Sequence, residues 1–429
     1  MGQLFSKKSL EDAPVVAIVG GGYAGAKIAK ALDASMNVVL IDRKDWFLHN
    51  VATPRAFVHP EFTELCAIPY DKLLKNGHVV QATVTGVQMA GKPEVSLSDG
   101  TKVKVDYAVI ATGTAYAFPF KVPFPKREGV RKMYEEVAAE LMAASDVVVV
   151  GGGSTGLEAA SEIAEEYEDC AVTVVHAGPQ VMMPGPWKQK FVDKLTEQLG
   201  RYPNLKVVLN DRVLETPDSY KKFQVPEKKK VSTKNGLEIK CDIMFWCVGG
   251  RVNSACYEQS FETDASGQIV VDEYLRVTDA VFAAGDCAKA GTMKTVNFAN
   301  QHADCVAKNI KLSVKGKPLQ KFKPGPNLNV TQLGKEYGAG DLPIFGGMVV
   351  GAGFVQMIKK DMFSKKFWQD MGYPKLPAKF DQFNDQAADS DEKKKKKKTQ
   401  LEQLLQLDPD AAETLAQGIA KDQPFAEYT

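Results

Sequence analysis

The apolar positions of this chain fall in short, charge-free runs that end at glycine or beside it, and four of these runs organise the rest. Residues 15–19, 107–111, 147–150 and 281–284 each hold four or five residues without the alternation of a half-exposed strand. Such runs predict strands buried on both faces, as in a parallel sheet covered by helices. The first passes directly into Gly20-Gly21-Gly22-Tyr23-Ala24-Gly25 and then into a helical stretch. The third leads into Gly151-Gly152-Gly153-Ser154-Thr155-Gly156, a predicted helix to residue 167 and a predicted strand over 171–175. In each motif the first glycine permits a tight turn and the second lets backbone N–H groups approach a pyrophosphate. The third allows the helix to pack close to the sheet. The helix N-terminus then faces the phosphates.

A further strand is expected over 38–41, and Asp42 follows Gly20 by 42 − 20 = 22 residues. A carboxylate at that distance binds ribose hydroxyls. After the second motif His176 ends the strand, where an NAD-specific site would carry the carboxylate that repels a 2′-phosphate. NADPH is therefore expected to be accepted beside NADH. Two dinucleotide folds imply two dinucleotides, FAD in the first and NADH or NADPH in the second. The remaining runs end in Thr112-Gly113 and in Gly285-Asp286, and together they should frame the flavin, with Asp286 on its ribityl or pyrophosphate part. Residues 245–250, with Gly249, are expected to mark the return from the second nucleotide domain to the first.

Glu158 lies two residues beyond Gly156, with Glu162 on the same helical face. Two roles stay open for it: stabilising the helix N-terminus, or relaying a proton near nicotinamide and flavin. The longest charge-free stretch, 342–358, is too short for a membrane span and is interrupted by Gly346, Gly347, Gly351 and Gly353. A buried β-hairpin is expected there.

Composition narrows these readings. The chain has 429 residues, 44% of them hydrophobic, enough for several cores. A net charge of +1 argues against nucleic acid as a specific partner. The seven cysteines stand singly, with no C-x-x-C or zinc spacing, so neither a metal site nor a redox disulfide is expected and electrons must leave the flavin directly. A reducing compartment suits them. The start, Met1-Gly2-Gln3-Leu4-Phe5-Ser6 followed by Lys7 and Lys8, fits N-myristoylation of Gly2 and has no secretory leader.

These motifs in this order, together with Asp45-Trp46-Phe47-Leu48-His49-Asn50, the His176 position and the acylation signal, carry a family likeness. From about residue 13 to about residue 373 the chain resembles the ferroptosis suppressor branch of apoptosis-inducing-factor-like flavoproteins. The resemblance implies an FAD-dependent NAD(P)H:quinone oxidoreductase related to type II NADH dehydrogenases. It would reduce coenzyme Q or vitamin K type quinones at a membrane and yield a radical-trapping quinol. It also implies FAD contacts at residues 20–24, at Arg55, Val79 and Asp286, and a lysine near the flavin headgroup, Lys359. A cation there would stabilise a developing anionic flavin or quinolate. The implied location is cytoplasmic, peripheral on the plasma membrane or a lipid droplet, held by myristoyl-Gly2 and lysines.

The expected architecture is α/β, with two Rossmann-like domains and a small C-terminal α+β segment. Residues 1–12 form the acylated start, 13–123 with 253–325 the FAD domain and 124–252 the NAD(P)H domain. Residues 326–380 form the quinone-side region and 381–429 a charged tail. Six lysines, Lys393 to Lys398, make that tail either a linker or an anionic-lipid contact. One myristoyl chain alone holds a membrane only weakly, at about 10⁴ M⁻¹. Competing classes are a mitochondrial type II dehydrogenase, a monodehydroascorbate or ferredoxin-type reductase, and a redox-gated scaffold that binds nucleic acid through the lysine run.

Overall fold

The computed structural model describes residue 10 and residues 12–122, 124–215, 229–344 and 347–381. Gly2, its basic neighbours and the lysine run lie outside the described residues, as does the rest of the tail beyond residue 381.

The first sheet has six strands in the spatial order Arg276–Thr278, Val281–Ala283, Tyr107–Ile110, Val15–Val19, Asn37–Asp42, His78–Gln81. All pairings are parallel except the antiparallel edge strand Arg276–Thr278. Its central run is apolar throughout because both faces are covered. Val16, Ile18, Val38 and Leu40 pack with residues of the helices Tyr23–Leu32 and Val296–Val314. Ala17, Val19, Val39 and Ile41 pack instead against Val87, Val95 and Leu97 of a three-stranded antiparallel sheet. Each layer removes a full set of branched side chains from water, and that burial favours the sheet.

The second sheet is parallel throughout, in the order Leu205–Val208, Ala171–Val175, Asp146–Val150, Ile243–Trp246. Val147 and Val149 face one core, Val148 and Val150 another. Two crossings join the sheets, and they lie side by side: Thr114–Ala115 pairs antiparallel with Arg251–Val252. Gly250 is needed at that ribbon, because a Cβ there would stand 2.9 Å from the Ala115 carbonyl and from Thr114 Cβ.

After the long helix, the strands Asn329–Leu333, Tyr337–Leu342 and Met348–Val350 form an antiparallel meander. The hairpin expected over 342–358 is therefore half right. Its second half is the helix Ala352–Lys359, entered through Gly351 in an extended conformation. The physical reason is a change of period: Val355 and Lys359, one turn apart, are the two residues of this helix that bury. The meander packs on the helix Ser154–Glu166 of the second domain through polar contacts. Ser161 Oγ accepts from the Gly334 N–H at 3.0 Å, and Glu165 Oε2 from that of Lys335 at 2.8 Å. Among the described residues no helix is long and apolar enough to cross a membrane.

Candidate functional site

A cavity of about 850 Å³ opens at the C-terminal ends of the first sheet's strands, where ligands of open α/β sheets bind. Gly20, Gly21, Gly22, Tyr23 and Ala24 form one wall. Gly20 adopts φ +101°, and a Cβ there would meet the Ala111 carbonyl oxygen at 2.4 Å, so both conformation and space demand glycine. Gly25 does not line the cavity; it lies against the Gly20 carbonyl and lets helix and loop touch. The helix begins without a side-chain cap and without an acidic residue in its first turn, which leaves its N–H groups for an anion. Asp42 closes the loop: Oδ2 accepts the Gly21 N–H at 2.6 Å, and Oδ1 takes Lys44 N and Nζ at 2.8 Å each. Thr112, Gly113 and Asp286 complete the opposite wall.

A second cavity of about 820 Å³ repeats the arrangement on the second sheet. Gly151 and Gly153 line it, while Gly156 packs against the Gly151 carbonyl. Gly249 lies on the far wall. His176 occupies the place that Asp42 holds in the first cradle. Its Nδ1 accepts the Gly152 N–H at 3.2 Å, as Asp42 accepts that of Gly21. The ring is buried, and burial holds its pKa below the ordinary histidine value; with Nδ1 accepting a hydrogen bond, the ring is the neutral form that carries its proton on Nε2.

Four residues belong to both cavities: Asn50, Thr114, Lys121 and Asp286. They mark where two ligands would meet. Lys121 Nζ donates to the Thr114 carbonyl at 2.7 Å and to its hydroxyl at 2.9 Å. That hydroxyl in turn donates to Asp286 Oδ2 at 2.9 Å. Burial holds the Lys121 ammonium below its ordinary pKa, with Asp286 acting the other way. Neither Lys121 nor Asn50 was singled out from sequence as a site residue. Residue 121 follows no glycine motif, and only the tertiary fold brings it to Asp286.

Behind Asn50 lies a buried polar layer. Tyr23 donates its hydroxyl to His49 Nδ1 at 2.9 Å, and His49 Nε2–H donates to the Met362 carbonyl at 2.6 Å. Glu158 and Lys359 form an ion pair in the same region, 6% and 2% exposed, and Lys359 also donates to the Val330 carbonyl at 3.0 Å. Glu158 falls in the second turn of its helix, so it is not a helix N-terminal charge. Burial pushes its carboxyl above the ordinary glutamate value, against the pull of Lys359. Neither partner lines a cavity wall.

Two residues placed at FAD by resemblance sit elsewhere. Arg55 lines neither cavity; it donates to Glu162 Oε1 at 2.9 and 2.7 Å and to the Gly334 carbonyl at 3.1 Å, bolting three segments together. Val79 points away from the cavity, whose rim is supplied three to five residues later by Ala82, Thr83 and Val84.

Buried imidazoles give the fold a pH dependence. Burial pushes His49 down to about 3 and His302 down to about 4, from 6.5. Below 6.5 the unfolded chain takes up protons that the folded chain refuses, so stability is complete above that pH and declines as pH falls toward 4. The thermal midpoint is expected to drop between about pH 7 and about pH 5, and His302→Asn should flatten that slope. A midpoint rising toward acid would contradict it.

Fold and site together define a two-dinucleotide flavoprotein reductase. The pyridine nucleotide-disulphide oxidoreductase family matches residues 14–303, and the chain belongs to it. Within it the chain belongs with the apoptosis-inducing factor homologues and ferroptosis suppressor proteins. It is 33% identical to apoptosis-inducing factor homolog B of Dictyostelium discoideum, over 84% of this chain and 97% of that one. It is 32% identical to human ferroptosis suppressor protein 1, over 85% and 98%. Among solved structures it resembles the sulfide:quinone oxidoreductase of Aquifex aeolicus, with a TM-score of 0.69 at 18% identity, covering 87% of this chain and 95% of that one. Members of the family bind FAD and NAD(P)H, and the cradles fit them: at Gly22 and Gly153, where each phosphate would rest, a Cβ would meet no protein atom within 4 Å, and each helix start is free of acid.

Proposed function

We propose that this chain is an FAD-dependent NAD(P)H:quinone oxidoreductase working at a membrane surface. One observation carries the reading: two nucleotide cavities share the wall made by Asn50, Thr114, Lys121 and Asp286, so flavin and nicotinamide would meet there. None of those four is a cysteine, and all seven cysteines are free thiols, which leaves an external acceptor for the electrons.

Bound FAD supplies hydride acceptance and two-electron delivery. The protein's part is to hold and to charge. The loops at Gly20 and Gly151 would seat the pyrophosphates, while Thr114 fixes Lys121 against Asp286 at the shared wall. Glu158 and Lys359 hold a proton at Oε1 and Nζ behind His49, within the layer that backs that wall. Quinone as acceptor rests on the resemblance and on the surface around the helix Ala352–Lys359, whose Lys359 is itself buried. Leu328, Val330, Ile344, Met348 and Phe354 are only partly covered there, and Met357 is 48% exposed, an apolar approach for a lipophilic substrate. Ferroptosis suppression through the quinol, and attachment through myristoyl-Gly2, belong to the same reading.

Steady-state oxidation of NADH with a short-chain quinone should exceed that with oxygen or ferricyanide. A quinone rate no higher than the oxygen rate would remove the acceptor from the proposal. Separately, Gly2→Ala should shift the protein out of the membrane fraction; unchanged partitioning would remove the acyl anchor.

A further inference from the structure

The second cradle differs from the first at one point, and the difference has a neighbour. Asp42 and His176 receive the same N–H, that of the middle glycine, from equivalent places at their strand ends. In the second cradle the group so placed is neutral. Three backbone hydrogen bonds zip the loop after His176 to the loop after the strand Leu205–Val208. His176 N donates to the Val208 carbonyl at 2.8 Å, Asp211 N to that of His176 at 3.2 Å, and Asn210 N to that of Gly178 at 3.0 Å. Asn210 takes a left-handed turn, φ +57°, and the chain then lays Asp211 and Arg212 on the cavity wall beside His176.

Asp211 is 3% exposed. Its Oδ1 is used by the N–H groups of Arg212 and Asn235 at 2.8 and 3.1 Å, while Oδ2 has no partner among the described residues. Arg212 is exposed at the cavity, and its guanidinium makes no hydrogen bond or ion pair with the described residues. A free fork of N–H donors beside a ribose position matches the planar geometry of a phosphate.

We propose that Arg212 recognises the 2′-phosphate of NADPH, with His176 in place of a carboxylate providing tolerance and Asp211 Oδ2 accepting a donor of the adenosine common to both nucleotides. The proposal rests on the NAD(P)H reading above and adds the residue that selects between its two forms. Asp211 works against a 2′-phosphate by charge, so the site is a mixed reader: Arg212 offsets a carboxylate that alone would favour NADH.

Calorimetric titration of the FAD-loaded protein with NADP⁺ and NAD⁺ tests this. R212Q should raise the ratio of the NADP⁺ to the NAD⁺ dissociation constant about tenfold or more, the effect of losing charge-assisted bonds. R212K should recover part of it, and added salt should weaken NADP⁺ more steeply than NAD⁺. An unchanged ratio in R212Q protein that still binds both nucleotides would overturn this assignment alone. Binding of neither nucleotide by the wild type would overturn it together with the reading beneath it.

Discussion

Gly151→Val is expected to give a yellow protein that neither NADH nor NADPH can bleach. Gly151 holds φ +113°, and a Cβ there would lie 2.6 Å from the Cys247 carbonyl oxygen, which belongs to backbone and cannot step aside. The loop must therefore open, and its N–H groups leave the positions that face a pyrophosphate. Displacing a reactant by about 1 Å costs roughly 100-fold in rate, so flavin reduction should slow by at least about that factor. The mirror variant has a different outcome. Gly20→Val strains φ +101° and pushes on the Ala111 carbonyl, and the purified protein should be colourless. Absorbance spectra before and after NADH separate the cases. A colourless Gly151→Val protein, or a fully reducible one, would mean that the two cradles are not the independent sites described.

Lys359→Met is the second large effect. The side chain is of similar length, so packing survives, but Glu158 stays 6% exposed with its cation gone. Breaking a buried pair on one side costs about 3–5 kcal/mol, against a whole-domain stability of about 5–15 kcal/mol. The lost cation also removes the force that opposed burial, so the carboxyl rises further and takes up a proton. A raised folded-state acid makes the folded chain bind more protons than the unfolded one. Stability of this variant should therefore fall as pH rises above the ordinary glutamate value. Lys359→Met with Glu158→Gln should recover most of the loss, because the orphaned charge is gone. Denaturant unfolding of the two single variants and the double variant measures the coupling. Additive losses would mean the pair is only incidental, and an equal loss of turnover in the recovered double variant would give it a chemical role beyond stability.

Much of this could be read from local pattern. The glycine loops, the strands before them and the position of Asp42 are dictated by contacts within some 30 residues of chain, where spacing and steric need coincide. Asp286 was legible for the same reason, as the end of a buried strand. Lys121 was not, because its partners Thr114 and Asp286 come together only when two distant crossings converge. Arg212 was hidden likewise, since nothing local shows that residues 210–212 zip against His176. Arg55 shows the opposite failure. Its motif was visible, but Glu162, a full domain away, claims the guanidinium. The stretch 342–358 misled by composition: apolar and glycine-rich residues suit a strand or a helix equally, and burial of Val355 and Lys359 one turn apart decides it.

Nicotinamide and flavin are expected to meet at the wall shared by Asn50, Thr114, Lys121 and Asp286. Anaerobic rapid mixing of the FAD-loaded protein with NADH tests it most directly. Prompt bleaching of the flavin absorbance, reversed by one equivalent of a short-chain quinone, is the predicted result. A flavin that remains oxidised under excess NADH, in protein shown by titration to bind that nucleotide, would contradict it.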